Sequence, residues 1–225
     1  MSRLQALNVP IRPWVPRWLG LVTAFVILLP IMLINGAYTG DIIEVSGTLG
    51  VMSEDIRMAY YATSAGMAIA YPIIPKLRPV ITTKTVLLSD LMLQVVLSLI
   101  CANVTKMEIV IACSFFIGIL KAFVMLEFII MTRPFFSPSN VRSEFYAYFY
   151  PLVFSGGQIS MALTAQLAYS YQWQYMYYFV IILLLVAILF VLICFRYARR
   201  PISFPFREID WKSMLLGSSV LLMII

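Results

Sequence analysis

Asp90, Lys121 and Glu127 each interrupt an apolar run of about 20 residues, a length that crosses a hydrocarbon core. A charge in such a run has to pair, reach a wet cavity or take part in chemistry. A carboxylate there can exchange a proton, and a lysine can supply an alternating counter-charge or hold an anion. These three are therefore the candidate proton-relay or substrate residues, against the alternative of a structural pair that fixes helix packing. If the runs holding Asp90 and Lys121 are consecutive helices, the two residues lie at nearly the same depth, about 12 to 15 Å from one surface at roughly 1.5 Å of rise per residue. An ion pair between them is then geometrically feasible. Lys121 and Glu127, six residues apart on one helix, point about 120° away from each other, so Glu127 needs a different partner.

Other chemistries find little footing. The chain has no histidine, and its three cysteines, Cys101, Cys113 and Cys194, lie in apolar runs without CxxC or Cys/His spacing. No metal site, disulfide framework or cofactor is expected. HExxH, GxSxG and Gly-rich phosphate loops are missing, so the chain does not read as an enzyme. The net charge of +6 comes from basic residues scattered between apolar runs, without the interleaved aromatics of a nucleic-acid surface.

The elements that must position the three residues follow from composition. Of 225 residues, 62% are hydrophobic and 12% charged, too few polar groups to cover a soluble domain, so the solvent is expected to be the lipid bilayer. Unbroken hydrophobicity excludes the alternation of a membrane barrel strand, leaving an all-α integral membrane protein. The expected spans are 18–40, 57–75, 82–102, 108–131, 145–168 and 174–196. Residues 1–17 precede this six-span unit (18–196), 197–210 form a linker, and 211–225 begin a seventh span. The run Leu221-Leu222-Met223-Ile224-Ile225 stops inside that span, which implies that it continues. Pro10, Pro13 and Pro16 with Arg3, Arg12 and Arg17 precede a full-length span, unlike a cleavable signal peptide.

Thirteen of the sixteen Lys and Arg residues fall before span 1, between spans 2 and 3, between spans 4 and 5, or after span 6, all on one side. Arg57 and Lys106 lie opposite, and the loop 41–57 is acidic through Asp41, Glu44, Glu54 and Asp55. The positive-inside rule then puts the N-terminus in the cytoplasm. Tyrosines near the span ends, such as Tyr60, Tyr146 and Tyr175, fit interfacial aromatic belts.

Several segments resemble one family. Leu49-Gly50-Val51 with Ser53, followed by Arg57-Met58-Ala59-Tyr60-Tyr61-Ala62, resembles the "LGvs…WvvtaYlLa" entry to span 2 of drug/proton antiporters of the major facilitator superfamily. Trp173-Gln174-Tyr175-Met176-Tyr177-Tyr178-Phe179 is similar to that family's "WRwiFliN". Asp210-Trp211 with Leu215, Leu216 and Gly217 resembles the "DWlG…L" opening of span 7 in its fourteen-helix branch. Between spans 2 and 3, where the family has "GxLaDrxGrR", this chain keeps Leu77 and basic residues but carries Pro79 and Thr82 at the aspartate and glycine positions.

The resemblance implies the six-helix N-terminal bundle of a major facilitator type transporter in a bacterial inner membrane. The implied function is proton-coupled export of amphipathic or drug-like small molecules, with a periplasmic adaptor as a further partner. It makes Lys76, Arg78 and Lys84 a cytoplasmic gating loop, and Asn35, Gln158 and Gln166 polar groups of the substrate cavity. Those three amides read equally well as hydrogen-bonding glue between helices. The competing function is a non-transporting membrane receptor or assembly subunit on a transporter-like fold.

Overall fold

The computed structural model describes residues 11–12, 14–40, 42–77, 81–136, 141–197 and 211–224. The described residues form α1 (Arg17–Gly40), α2 (Ile42–Leu49), α3 (Ser53–Leu77), α4 (Thr83–Asn103), α5 (Met107–Phe136), α6 (Arg142–Ser170), α7 (Gln174–Cys194) and α8 (Trp211–Ile224). Apart from an isolated bridge between Ile11 and Phe195, they hold no extended pairing. The all-helical expectation holds. The helices α4, the Met107–Arg133 part of α5, and α7 are long and apolar enough to cross a membrane, whereas the described apolar part of α1, Trp18–Ile34, is shorter. Lipid is the fitting neighbour for their outward faces, where Leu93, Val96, Ile182, Leu185 and Leu189 stand exposed.

Helices α1 and α3–α7 lie on the six expected spans, three of them with membrane-crossing length and apolarity, and their ends differ for local reasons. Helix α3 starts at Ser53, because Glu54 and Asp55 in its first turn favour the positive end of the helix dipole and Asp55 Oδ2 accepts the Met52 N–H at 3.1 Å. Helix α5 runs on to Phe136, with Arg133 suited to the negative end in its last turn. The acidic segment 41–57, expected as a loop, instead contains α2. Its Val45 is buried, with Ile42 and Leu49 packed on the core. Gly50, at φ 65°, closes α2 so that the Val51 N–H bonds back to Ser46. The linker 197–210 lies outside the described residues beyond Tyr197, as do residues 1–10 of the N-terminal segment.

Helices α3 and α5 make the tightest contact. A Cβ on Gly66 would overlap the Phe115 carbonyl, and one on Gly118 would overlap the Thr63 backbone. Ala70, Ile74 and Ala122 extend this seam of small residues, flanked by Met67 and Ile119. With lipid outside, association rests on such close packing, because apolar burial alone gives little between helices already in an apolar solvent. Around it, α1 packs on α6 and α7, α4 on α5 and α7, and α8 on α3. Aromatic rings tie α1, α5 and α6 together: Phe25 meets Phe128 edge-on at 5.8 Å, and Phe149 lies between Phe128 and Phe145. Ser160 Oγ donates across the α6–α1 contact to the Met32 carbonyl at 2.8 Å.

The packing has a partial internal symmetry. Exchanging α1, α3 and α4 for α5, α6 and α7 maps the α1–α6 contact onto α5–α3, α1–α7 onto α5–α4, and α1–α3 onto α5–α6; α1–α5 and α4–α7 map onto themselves, whereas the α6–α7 contact has no counterpart of like extent between α3 and α4. The exchanged helices run in opposite directions. The start of α1 meets the end of α5 through Gly20 and Phe135, and the ends of α4 and α7 meet head to tail at Asn103 with Tyr178 and at Lys84 with Leu192. One end of the bundle gathers Arg12, Lys84, Arg133, Arg142 and Arg196, and the other carries Glu54, Asp55 and Glu108 together with Arg57 and Lys106.

Gly118→Leu should push α3 off α5 and lower stability by ~2 kcal/mol or more. Gly157→Ala, where nothing lies within 4 Å of an added Cβ, should change it little. Detergent-solubilised protein compared by thermal unfolding checks both, and equal midpoints would refute the seam.

Candidate functional site

Helix α4 is the sixth part of a bundle that ought to be greasy, yet it buries a row of polar side chains. Thr83, Asp90, Gln94 and Ser98 all have exposures of 3% or less. At 100° per residue the first three fall within about 40° of one another and Ser98 a further 40° round, so they form one stripe. The Asp90 carboxylate accepts from Gln94 Nε2 at 3.0 Å. Thr83 Oγ1, Gln94 Oε1 and Ser98 Oγ have no hydrogen-bond partner among the described residues. Helix α7, packed along α4, offers its middle turns only as Val, Ile, Leu and Ala, so it cannot satisfy them.

Lys121 stands on α5, the helix that follows α4 after the short link 104–106. It is 3% exposed, and its Nζ has no hydrogen-bond partner among the described residues. Asp90 lies thirteen residues before the end of α4 and Lys121 fourteen after the start of α5. Both are therefore about 20 Å from the shared turn, at one height on two packed antiparallel helices. The height expected for these two residues is right, but the direct ion pair is not formed. The reason is rotation: Asp90 turns along its own helix to Gln94, and Lys121 shares its face of α5 with Ile117, Val124, Met125 and Phe128, all core residues.

Glu127 is also buried, on another face of α5. Gln158 and Gln166 are exposed on α6, turned away from the face that buries Ser160 and Thr164. They are not gathered with Lys121. The side chains of Asn35 and Lys76, and all of Arg78, lie outside the described residues.

Lys84, expected in a gating loop, is instead in the first turn of α4 and buried there. Its Nζ donates to the carbonyls of Phe195 at 3.0 Å and Leu192 at 3.4 Å, and it sits 4.6 Å above the Tyr197 ring. The Arg12 N–H donates to the Cys194 carbonyl at 2.9 Å and its guanidinium reaches Leu192 at 3.5 Å. Both cations thus serve the last carbonyls of α7, which have no N–H donor within the helix.

Gln94, Ser98 and Thr83 are the site residues that sequence reading passed over. The signal was the spacing of Gln94 and Ser98 at four and eight residues from Asp90. Among the described residues no group of three or more His, Cys, Asp or Glu could hold a metal ion, and the three cysteines are free thiols. Comparison with protein-family models and with curated proteins finds no match.

An unpartnered buried ammonium lowers stability, so Lys121→Met should raise it by ~1–3 kcal/mol. Loss of two carbonyl bonds and a ring contact in Lys84→Met should lower it by about 1–3 kcal/mol. Chemical unfolding of the two variants beside wild type tests both signs, and a destabilised Lys121→Met would mean that the ammonium has a structural partner.

Proposed function

We propose that this chain forms the six-span unit of a proton-coupled secondary transporter of the major facilitator type, exporting amphipathic or drug-like small molecules. The observation that carries the reading is the packing symmetry of α1, α3 and α4 with α5, α6 and α7. Two three-helix units of opposite direction are the inverted repeats nested within each six-helix half of such transporters. The motif resemblances at residues 49–62, 173–179 and 210–217 point the same way.

In this reading the end that gathers Arg12, Lys84, Arg133, Arg142 and Arg196 faces the cytoplasm of a bacterial cell, with its inner membrane around α1 and α3–α7. Lys121 is the residue on which transport turns. A buried lysine kept without a partner is costly to the fold, and an alternating role, free in one state and paired with a substrate anion or carboxylate in another, gives a reason to keep it. Glu127, on the same helix, is the carboxylate that exchanges the proton driving export. The exposed amides Gln158 and Gln166 on α6 are then available to a substrate passing along that helix.

The complete reading frame expressed in an efflux-deficient host should extrude a lipophilic cationic dye, and extrusion should stop when the proton gradient is collapsed. Lys121→Ala and Glu127→Gln should each reduce the rate at least tenfold at unchanged membrane levels. A well-expressed wild type that moves no compound from a broad panel would instead favour a non-transporting receptor or assembly subunit on this fold.

A further inference from the structure

The buried polar stripe of α4 stands on a different helix from Glu127. We infer that internal water lines the buried polar stripe of α4, along Thr83, Gln94 and Ser98, making Asp90 a protonation site fed through water.

The argument starts from satisfaction of polar atoms. Buried polar groups in folded proteins are almost always hydrogen bonded, and where protein partners are missing, ordered water supplies them. Such atoms on this helix pair include Thr83 Oγ1, Gln94 Oε1 and Ser98 Oγ on α4 and Lys121 Nζ on α5. In an apolar surrounding each one left bare costs several kcal/mol, and the ammonium costs more. Steric reach favours water as the occupant. Asp90 is reached directly by Gln94, and Gln94 and Ser98 stand four residues apart, about 6 Å along the axis, which is the span of one bridging water with two hydrogen bonds of ~2.8 Å. A single bound cation would not serve, because Asp90 and Ser98 are separated by about 12 Å along the helix.

The remaining neighbours do not compete for the position. The titratable groups buried on the helices packed against α4 are Lys121, Glu127 and Cys113 on α5 and Tyr177 and Cys194 on α7; on α4 itself they are Lys84 and Cys101. Lys84 is engaged at the end of α7, and Lys121 alone among the cations stands at the height of Asp90. Proton delivery then needs no other reagent. Each water along the file breaks one O–H bond and accepts a new one, the electron pair of the broken bond staying on its oxygen, until an Asp90 oxygen forms the last O–H bond. The carboxylate becomes a neutral acid, and nothing is oxidised or reduced.

The test is infrared difference spectroscopy of the full chain in lipid nanodiscs, stepped between acidic and alkaline pH in ordinary water and in water labelled with oxygen-18. Wild type should show a protonated-carboxyl band together with a water O–H band that shifts with the label. Asp90→Asn should remove both, and Gln94→Leu should remove the water band. Absence of a label-sensitive band in wild type overturns the inference without recourse to any variant, as does a water band unchanged by both Asp90→Asn and Gln94→Leu. The outcome is independent of the transport reading: the bands present in a protein that moves no substrate would sink transport alone, and extrusion without them would sink the water file alone.

Discussion

Helices α3 and α5 meet backbone to backbone, because Gly66 and Gly118 leave no side chain between the Phe115 carbonyl and the Thr63 main chain. Lipid provides no squeezing force comparable to water around a soluble bundle, so dispersion contacts at this short range have to hold the helices. Once that contact is made, the rotation of α5 is fixed. Its small residues, Gly118 and Ala122, look to α3, and Ile117, Val124 and Phe128 look to the main core. Lys121 is carried to the same interior side with them. The burial of the ammonium is thus a by-product of a contact made by its neighbours in sequence.

The positions of the helices were largely legible, since apolar length is a strong signal and lipid tolerates only closed hydrogen-bonding patterns. Helix α2 was not, because eight residues interrupted by Glu44, Ser46 and Thr48 look like a loop until Val45 is seen in the core. For the site, height along the helices could be counted from the turn at 104–106, and Asp90 and Lys121 do stand level. Rotation could not be counted, for it depends on which neighbour each helix chooses, and that is why the direct pair failed. Gln94 and Ser98 were overlooked because uncharged polar side chains are common in membrane helices and draw notice only when their atoms prove to be buried without partners.

The two buried cations of this bundle show how the same side chain serves different ends. Lys84 donates locally to two carbonyls left open where α7 stops, and the ring of Tyr197 covers it. Lys121 has core residues around it and no such acceptors. One is held by stability, while the other is tolerated by it, and buried charge of the second kind is where function is most often found.

The contact between Lys84 and α7 also bears on how the chain is made. Its acceptors, Leu192 and Phe195, follow it by 108 and 111 residues, so a ribosome working at ~5–20 residues per second exposes the lysine several seconds before they exist. Through that interval the ammonium must remain in water or among lipid phosphates at the membrane surface, and α4 cannot settle to its final depth. The seat of Lys84 is therefore completed only by the end of α7, whose carbonyls it needs.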